Sequence, residues 1–349
     1  MAPVIVELRR QSAEVVVVAT AQHREMLDQV LNEFDIVPCH DLDLMRHGQS
    51  LASFASRCLA SLEPVIRDHR PTVLLAQGDT TTTFMSALAA FYQRVPFAHI
   101  EAGLRTGDIY SPYPEEFNRV AVSRLTDLHF APTEGARINL LREGTAVEDI
   151  VVTGNTVIDA LLFTRDRQAQ RGGPAAAGPP TLLITVHRRE NFGEPLDRIC
   201  AAVKHILSHA PRLRVIWPVH PNPVVREKIF AEFASHPRVR LSAPLPYGEF
   251  VRSMTTATLI LTDSGGIQEE APALGKPVLV LREETERPEA VAMGVAALIG
   301  TNPERIAEAT LTLLNDEAAY SRMAWGPPVY GDGHAAERIA CALANRYGR

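Results

Sequence analysis

Three acidic residues, Asp79, Glu101 and Glu115, stand at or just after the ends of short apolar runs in the first half of the chain. If those runs are parallel strands, the three carboxylates reach one edge of one sheet. Crowded carboxylates raise one another's pKa, which a general acid working at neutral pH requires. The same crowding can also serve a metal, but these residues arrive with Arg105 and Arg119 rather than with histidines at ligand spacing, which favours acid/base chemistry. The second half carries a different inventory. Asp263-Ser264-Gly265-Gly266 follows the apolar run 259–261 and reads as strand, turn and helix start. Glycines without Cβ let a phosphate approach the free N–H groups there, and the helix dipole favours the anion. Glu269 and Glu270, one turn further in, can accept hydrogen bonds from sugar hydroxyls of the same ligand, and Arg287 can reach its phosphates. Alone, a Ser-Gly-Gly more often makes only a tight turn. The cluster His187-Arg188-Arg189, after the run 181–186, supplies the cations that a diphosphate or sugar would meet.

The elements that must position these groups alternate in type. β-branched runs at 15–19, 72–76, 96–100, 128–131 and 150–153 are separated by helical stretches, the pattern of a parallel sheet covered by helices. In such sheets ligands gather at the carboxyl ends of the strands. Gln22 and His23 fall at one such end, after Thr20 as the cap of a helix, although a solvated helix start explains them equally well. Gly78 turns the chain at another, with Asp79 as expected cap of a helix that contains residues 84–92; capping alone would account for Asp79. Pro114 suits the first turn of the helix that carries Glu115. Gly/Pro-rich residues 171–180 read as a flexible linker, giving a first Rossmann-like domain at 1–170 and a second at 181–330. Residues 331–349 form a last helix expected to pack back on the first domain.

Composition narrows the function class. A chain of 349 residues suits two domains. Its formal net charge of -6 and pI of about 6.1 argue against nucleic acid or an anionic membrane as partner. No apolar run has the length of a membrane span and no signal-peptide layout opens the sequence, so the reading is cytoplasmic. Cys39, Cys58, Cys200 and Cys341 are scattered without a C-x-x-C pair and read as small hydrophobes. Neither G-x-G-x-x-G nor a Walker A loop is present, so no nicotinamide cofactor or ATP is signalled. The expectation is an enzyme without cofactor or metal.

Several motifs then converge. Thr20-Ala21-Gln22-His23-Arg24-Glu25, Gly78-Asp79-Thr80-Thr81-Thr82, Glu101-Ala102-Gly103-Leu104-Arg105, Pro114-Glu115-Glu116, Gly154-Asn155-Thr156, His187-Arg188-Arg189-Glu190-Asn191, Asp263-Ser264-Gly265-Gly266, Glu286-Arg287-Pro288-Glu289 and Tyr330-Gly331-Asp332-Gly333 together resemble the non-hydrolysing UDP-N-acetylglucosamine 2-epimerases. The resemblance implies the GT-B architecture, two Rossmann-like α/β domains of parallel sheets flanked by helices and facing each other across a cleft. It implies interconversion of UDP-N-acetylglucosamine and UDP-N-acetylmannosamine, with UDP-N-acetylglucosamine and UDP as ligands and a homodimer as the assembly. By the same resemblance Ser264, Gly265, Gly266, Glu270 and Arg287 hold the UDP part, Asp79, Glu101, Glu115 and His187 work on the sugar, and Arg105 contacts the substrate. An allosteric substrate site would draw on Gln22, His23, Arg188 and His220. The chain departs from the family at Gln77, where the family has histidine, and at Val186, where it has glycine. It also opens after the family's first strand and Gly-Thr-Arg-Pro-Glu loop, and 1–5 read as the middle of a helix. The expectation is a natural product that starts further upstream and a 349-residue form that is poorly stable and weakly active.

The chemistry agrees with the residues. No ring carbonyl adjoins C2 of an N-acetylhexosamine, so inverting C2 requires oxidation nearby or loss of the anomeric group. Without a dinucleotide fingerprint the second route remains: UDP leaves, 2-acetamidoglucal forms, and UDP returns after protonation on the other face, with cations near the leaving diphosphate stabilising its charge. Which carboxylate is acid and which is base stays open. A hydrolysing epimerase that releases N-acetylmannosamine and an inactive UDP-sugar-binding protein are the alternative readings. Closure of the two domains would shield a reactive glycal from water.

Overall fold

Every strand ladder among the described residues is parallel, as the alternation of apolar runs and helices requires. The computed structural model describes residues 1–20, 24–46, 48–170, 172, 178–285, 287–325 and 328–348. Gln22, His23, Glu286, most of the expected linker (171 and 173–177) and residues 326–327 lie outside them. The chain divides into two units, Met1–Ala160 with Tyr330–Arg349, and Leu161–Val329. The division falls inside a helix, ahead of the Gly/Pro-rich stretch.

Unit 1 begins with α1 (Ala2–Arg10), β1 (Val18–Ala19), α2 (Arg24–Glu33), β2 (His40–Asp41) and α3 (Leu51–His69). It continues through β3 (Leu74–Gln77), α4 (Thr81–Tyr92), β4 (Phe97–Ile100), α5 (Glu115–Ser123), β5 (Leu128–Ala131), α6 (Glu134–Arg142) and β6 (Ile150–Val152) to α7 (Thr156–Gln170). Strands β3, β4, β5 and β6 pair in that order, whereas β1 and β2 form a separate two-stranded ladder. The expected strand over 15–19 is thus shorter than its apolar run: only Val18 and Ala19 find ladder partners, His40 and Asp41. β4 and β5 are buried throughout, while every residue of β3 is half-buried, because no ladder among the described residues covers its outer edge. Val18 and Leu74 nevertheless pack on one apolar cluster with Phe54, Cys58 and Leu62 of α3.

Unit 2 contains β7 (Thr181–Thr185), α8 (Glu194–His209), β8 (Arg214–Pro218), α9 (Pro223–Phe233), β9 (Val239–Ser242) and α10 (Tyr247–Thr256). Then follow β10 (Leu259–Thr262), α11 (Gly265–Ala273), β11 (Val278–Val280), α12 (Pro288–Ala292), β12 (Ala296–Leu298), α13 (Pro303–Asn315) and α14 (Glu317–Ala324). Its six strands make one sheet in the order β12-β11-β10-β7-β8-β9. The chain therefore builds outward from β7 in one direction and from β10 in the other. The point where the order reverses leaves a crevice beyond the strand ends, the usual ligand position in open α/β sheets. A core of Leu182, Ile184, Ile199, Val203, Ile206, Trp217, Phe233 and Leu261 lies under this sheet.

The last helix, α15 (Ala335–Tyr347), belongs to unit 1. Ile339 and Leu343 cover Ala98, Ile100 and Phe130 together with Val4 of α1. Asp159 on α7 accepts hydrogen bonds from the backbone N–H groups of Ala335 and Ala336, at 3.2 and 2.7 Å, and so anchors the helix start. Two of the motifs noted above meet here: a Cβ on Gly154 would lie 3.0 Å from the α-carbon of Gly331, and the Asn155 amide donates to the Tyr330 carbonyl at 2.6 Å. Their glycines serve chain packing. Asp332, capped by the Arg338 guanidinium, is held down at about 2.

Candidate functional site

In unit 1 the carboxylates collect where β3 and β4 end. Gln77 pairs with Ile100 in the ladder, which sets Gly78 opposite Glu101 and puts Asp79 one step beyond. Gly78 and Glu101 both have positive φ, +80° and +66°. For a non-glycine residue this is an uncommon, strained conformation of the kind that clusters at functional sites. The Gln77 amide donates to Glu101 Oε2 at 3.2 Å. Under this turn His99 is fully buried, and burial pushes its imidazole down to about 4, so the neutral ring donates from Nε2 to the Gly78 carbonyl at 2.8 Å.

Asp79 does not cap α4, contrary to the sequence expectation. Thr80 occupies the cap and accepts from the Thr83 amide, and the helix starts at Thr81, ahead of Phe84. Asp79 is left to α5: its Oδ2 accepts from Arg119 Nε and Nη2 at 3.0 and 2.6 Å, and its carbonyl from Asn118 at 2.8 Å. Arg119 Nη1 turns to Glu116 Oε2 at 3.0 Å. Glu116 is buried and also accepts from the amides of Thr106 and Gly107, at 2.9 and 3.1 Å, which ties the loop after Glu101 to α5. The sequence reading passed over Glu116 in favour of its neighbour. Its signal was there in an acidic residue three positions before an arginine on a helix. Glu115 itself, half-buried, opens α5. Arg105, a substrate contact by the resemblance, has its guanidinium bonded to both Glu143 oxygens (2.7 and 2.8 Å), to Ser123 Oγ and to the Leu104 carbonyl. It clamps the loop to α6.

In unit 2 the ends of β7 and β10 are neighbours at the switch point, with Thr185 opposite Thr262. Asp263, the next residue, is wholly buried. Its carboxylate accepts from the amides of His187 (3.1 Å) and Arg188 (3.0 Å), from Asn191 Nδ2 (2.9 Å) and from His187 Nδ1 (2.7 Å). Burial alone would raise its pKa, but the hydrogen bonds from His187 and Asn191 outweigh that and hold it below the usual carboxylate range. What reads in sequence as a cationic cluster is thus a loop folded around one buried anion, with Arg188 Nε bonded to the Asp263 carbonyl at 3.1 Å.

Neither Asp263 nor Ser264 caps α11 with its side chain. Asp263 is engaged by the His187 loop, and the Ser264 side chain makes no cap bond although Ser264 holds the cap position. The first turn of the helix therefore keeps its N–H groups open to an anion. Gly266 is exposed, and among the described residues a Cβ there would meet nothing closer than Ser264 Oγ at 4.0 Å, so none of them demands glycine. One turn on, Glu270 is buried, and burial with the nearby Glu269 charge pushes its carboxyl up to about 8. Arg287 donates from Nε to Glu269, and its amide to Thr285, whose hydroxyl reaches Gln268 at 2.6 Å. Arg287 is thereby fixed beside α11. Of the residues suggested for an allosteric site, His220 accepts from the Asn222 amide at 3.1 Å and Arg188 belongs to the Asp263 loop; Gln22 and His23 are outside the described residues. Among the described residues no group of three or more His, Cys, Asp or Glu side chains could hold a metal ion, and no helix is long and apolar enough to cross a membrane.

Two Rossmann-like units with polar rims at their strand ends define an α/β protein of the GT-B class. The family model for UDP-N-acetylglucosamine 2-epimerase matches residues 6–344, and the chain belongs to that family. It is 50% identical to a UDP-N-acetylglucosamine 2-epimerase of Yersinia pestis, over 99% of this chain and 95% of that protein, and 49% identical to the Escherichia coli K12 enzyme of the same name with the same coverage. Among solved structures, that of Neisseria meningitidis UDP-GlcNAc 2-epimerase bound to UDP-GlcNAc superposes with a TM-score of 0.88 at 44% identity, covering 99% of this chain and 96% of that one. A protein from Listeria monocytogenes described as a putative UDP-N-acetylglucosamine 2-epimerase reaches 0.92 at 43% identity, covering 99% and 92%.

Proposed function

We propose that this protein interconverts UDP-N-acetylglucosamine and UDP-N-acetylmannosamine by elimination and re-addition of UDP, without releasing the free sugar. The observation that carries the reading is the division of labour between the rims. The α11 start, with open N–H groups, an unobstructed Gly266 and the buried Glu270, suits a nucleoside diphosphate. The carboxylates of unit 1 suit proton transfer at carbon. Kinship with relatives named for this activity supports the substrate.

In the forward step one carboxylate of Asp79, Glu101 and Glu115 takes the C2 proton, the C1–O bond breaks, and its electron pair leaves with the β-phosphate oxygen of UDP. In the return step a second carboxylate delivers a proton to the opposite face of C2, and the UDP oxygen re-forms the bond to C1. Arg119 holds Asp79 in place as an ion pair and so fixes the position of one of these carboxylates. His187 and the α11 start receive the charge that develops on the leaving diphosphate. Glu270 accepts from ribose hydroxyls. A homodimeric, cytoplasmic enzyme that serves polysaccharide synthesis is part of the same proposal.

Incubation with UDP-N-acetylglucosamine in heavy water is the test. Deuterium at C2 of both nucleotide sugars, with no build-up of UDP, is expected. Epimer without C2 label would refute elimination, UDP together with free N-acetylmannosamine would make the enzyme a hydrolase, and UDP binding without exchange would leave a binding protein.

A further inference from the structure

We propose that Asp263 is the positioning residue of His187, holding its ring by Nδ1 so that Nε2 alone exchanges a proton with the leaving diphosphate. This rests on the reading of His187 given above. The geometry is direct: Asp263 Oδ1 lies 2.7 Å from His187 Nδ1, and the same carboxylate grips the backbone of His187 and Arg188, which leaves the imidazole little freedom to turn. Asp263 is wholly buried while the His187 side chain is 46% exposed, so one end of the pair is fixed and the other open to a ligand. Nε2 has no hydrogen-bond partner among the described residues. Arg188 bonds through Nε to the Asp263 carbonyl, and Glu190 is paired with Arg282 at 3.1 Å.

An acceptor-only carboxylate on Nδ1 requires a proton there. The neutral ring then presents a lone pair at Nε2, and the protonated ring presents N–H. As the C1–O bond breaks, the imidazolium gives its Nε2 proton to a β-phosphate oxygen and becomes neutral; when UDP returns, that proton comes back. Asp263 stays ionised in both directions. Asp263 also connects the end of β10 to Ser264, whose amide donates to Thr262 Oγ1 at 3.0 Å, and Thr262 meets Thr185 of β7 at 2.6 Å. The His187 loop and the α11 start are one hydrogen-bonded piece.

The experiment joins a spectroscopic and a kinetic readout on the full chain. Nitrogen-15 correlation spectra of the His187 ring, taken where the ring is neutral, are expected to show the Nδ1–H tautomer in the unmodified protein and a mixed or reversed tautomer in Asp263→Asn. Turnover in Asp263→Asn is expected to fall about 100-fold with KM for UDP-N-acetylglucosamine within about threefold, as for loss of an orienting partner. In a His187→Gln background the same change is expected to have no further effect on kcat, because the residue acts through the histidine. An Nε2–H tautomer in the unmodified protein, or an equal fall in both backgrounds, overturns the proposal. The tautomer is read without turnover, so a failed epimerase assignment and a failed positioning role are told apart, and it decides the matter even if Asp263→Asn does not fold.

Discussion

The two units place their functional groups on differently built ground. In unit 2 the His187 loop and α11 rise from the middle of a continuous six-stranded sheet, each carried by a strand paired on both sides. In unit 1 Asp79 follows β3, which among the described residues is an edge strand with a single ladder neighbour, and β1 pairs with β2 in a separate ladder. Unit 1 replaces missing ladder bonds with side chains: Asn118, Arg119 and Glu116 of α5 hold Asp79 and the Glu101 loop from the helix side. A sheet interior gives rigidity through the backbone, while an edge must be fastened by specific side chains. Edge-mounted chemistry should therefore depend more steeply on single residues.

Arg119→Met breaks that fastening most severely, since it strips the cation from Asp79 and from buried Glu116 together. We expect turnover to fall about 1000-fold and unit 1 to lose about 3–5 kcal/mol, the cost of leaving a buried carboxylate unpaired. Lys228→Met in unit 2, which removes a surface pair with Asp197 and Glu232, is expected to cost under about 1 kcal/mol. Equal losses in thermal melts of the two variants would dissolve the contrast. Hydrogen exchange sharpens it: amides of β1 and β3 should exchange about 100-fold faster than those of β7 and β10, and uniform protection would show that the edge is covered in solution. Gly266→Ala turns from fastening to ligand. With open space around it the protein should melt at the same temperature or slightly higher, since alanine favours the helix, whereas UDP affinity should drop about tenfold in calorimetry. A lower melting temperature with unchanged affinity would make the glycine structural.

The smallest effect is a pH dependence. Glu270 has its pKa raised to about 8 in the folded state, so its contribution is complete below the ordinary glutamate range near 4.5 and is lost as pH climbs through about 8. Glu270→Gln should therefore raise the melting temperature by a few degrees at pH 8 and hardly at all at pH 4. His99 and His129 act in the opposite sense. Burial lowers both to about 4, so their stabilisation is present above 6.5 and drains away as pH falls toward 4. A melting temperature flat between pH 7 and pH 4 in Glu270→Gln would contradict buried neutral imidazoles.

Much of this was legible because it is local. Apolar runs followed by turn residues marked β7, β10 and α11, and strand-end logic brought Asp79 and Glu101 to one edge. What escaped depends on contacts far apart in sequence. Asp263 reads in sequence as part of a turn and helix start because its true partners, His187 to Asn191, lie far earlier in the chain and become neighbours through the β7–β10 pairing. The ion pair of Arg105 was not legible because its partner Glu143 lies far along the chain, at the end of α6. Glu115 and Glu116 are indistinguishable by type, and only the helix rotation decides which is buried. The apolar run 15–19 promised a longer strand than the available partners allow, since a ladder takes two sequences to specify.

The return of α15 to unit 1 has a consequence during synthesis. Unit 2, Leu161–Val329, is translated between the two stretches of unit 1, so unit 1 stays incomplete through the whole synthesis of unit 2. Meanwhile the face of β4 and β5 formed by Ala98, Ile100 and Phe130 waits without Ile339 and Leu343, and Asp159 waits without the amides it anchors. The first-made unit is the last completed, and the interval in which its apolar face is bare is set by the time needed to translate the other.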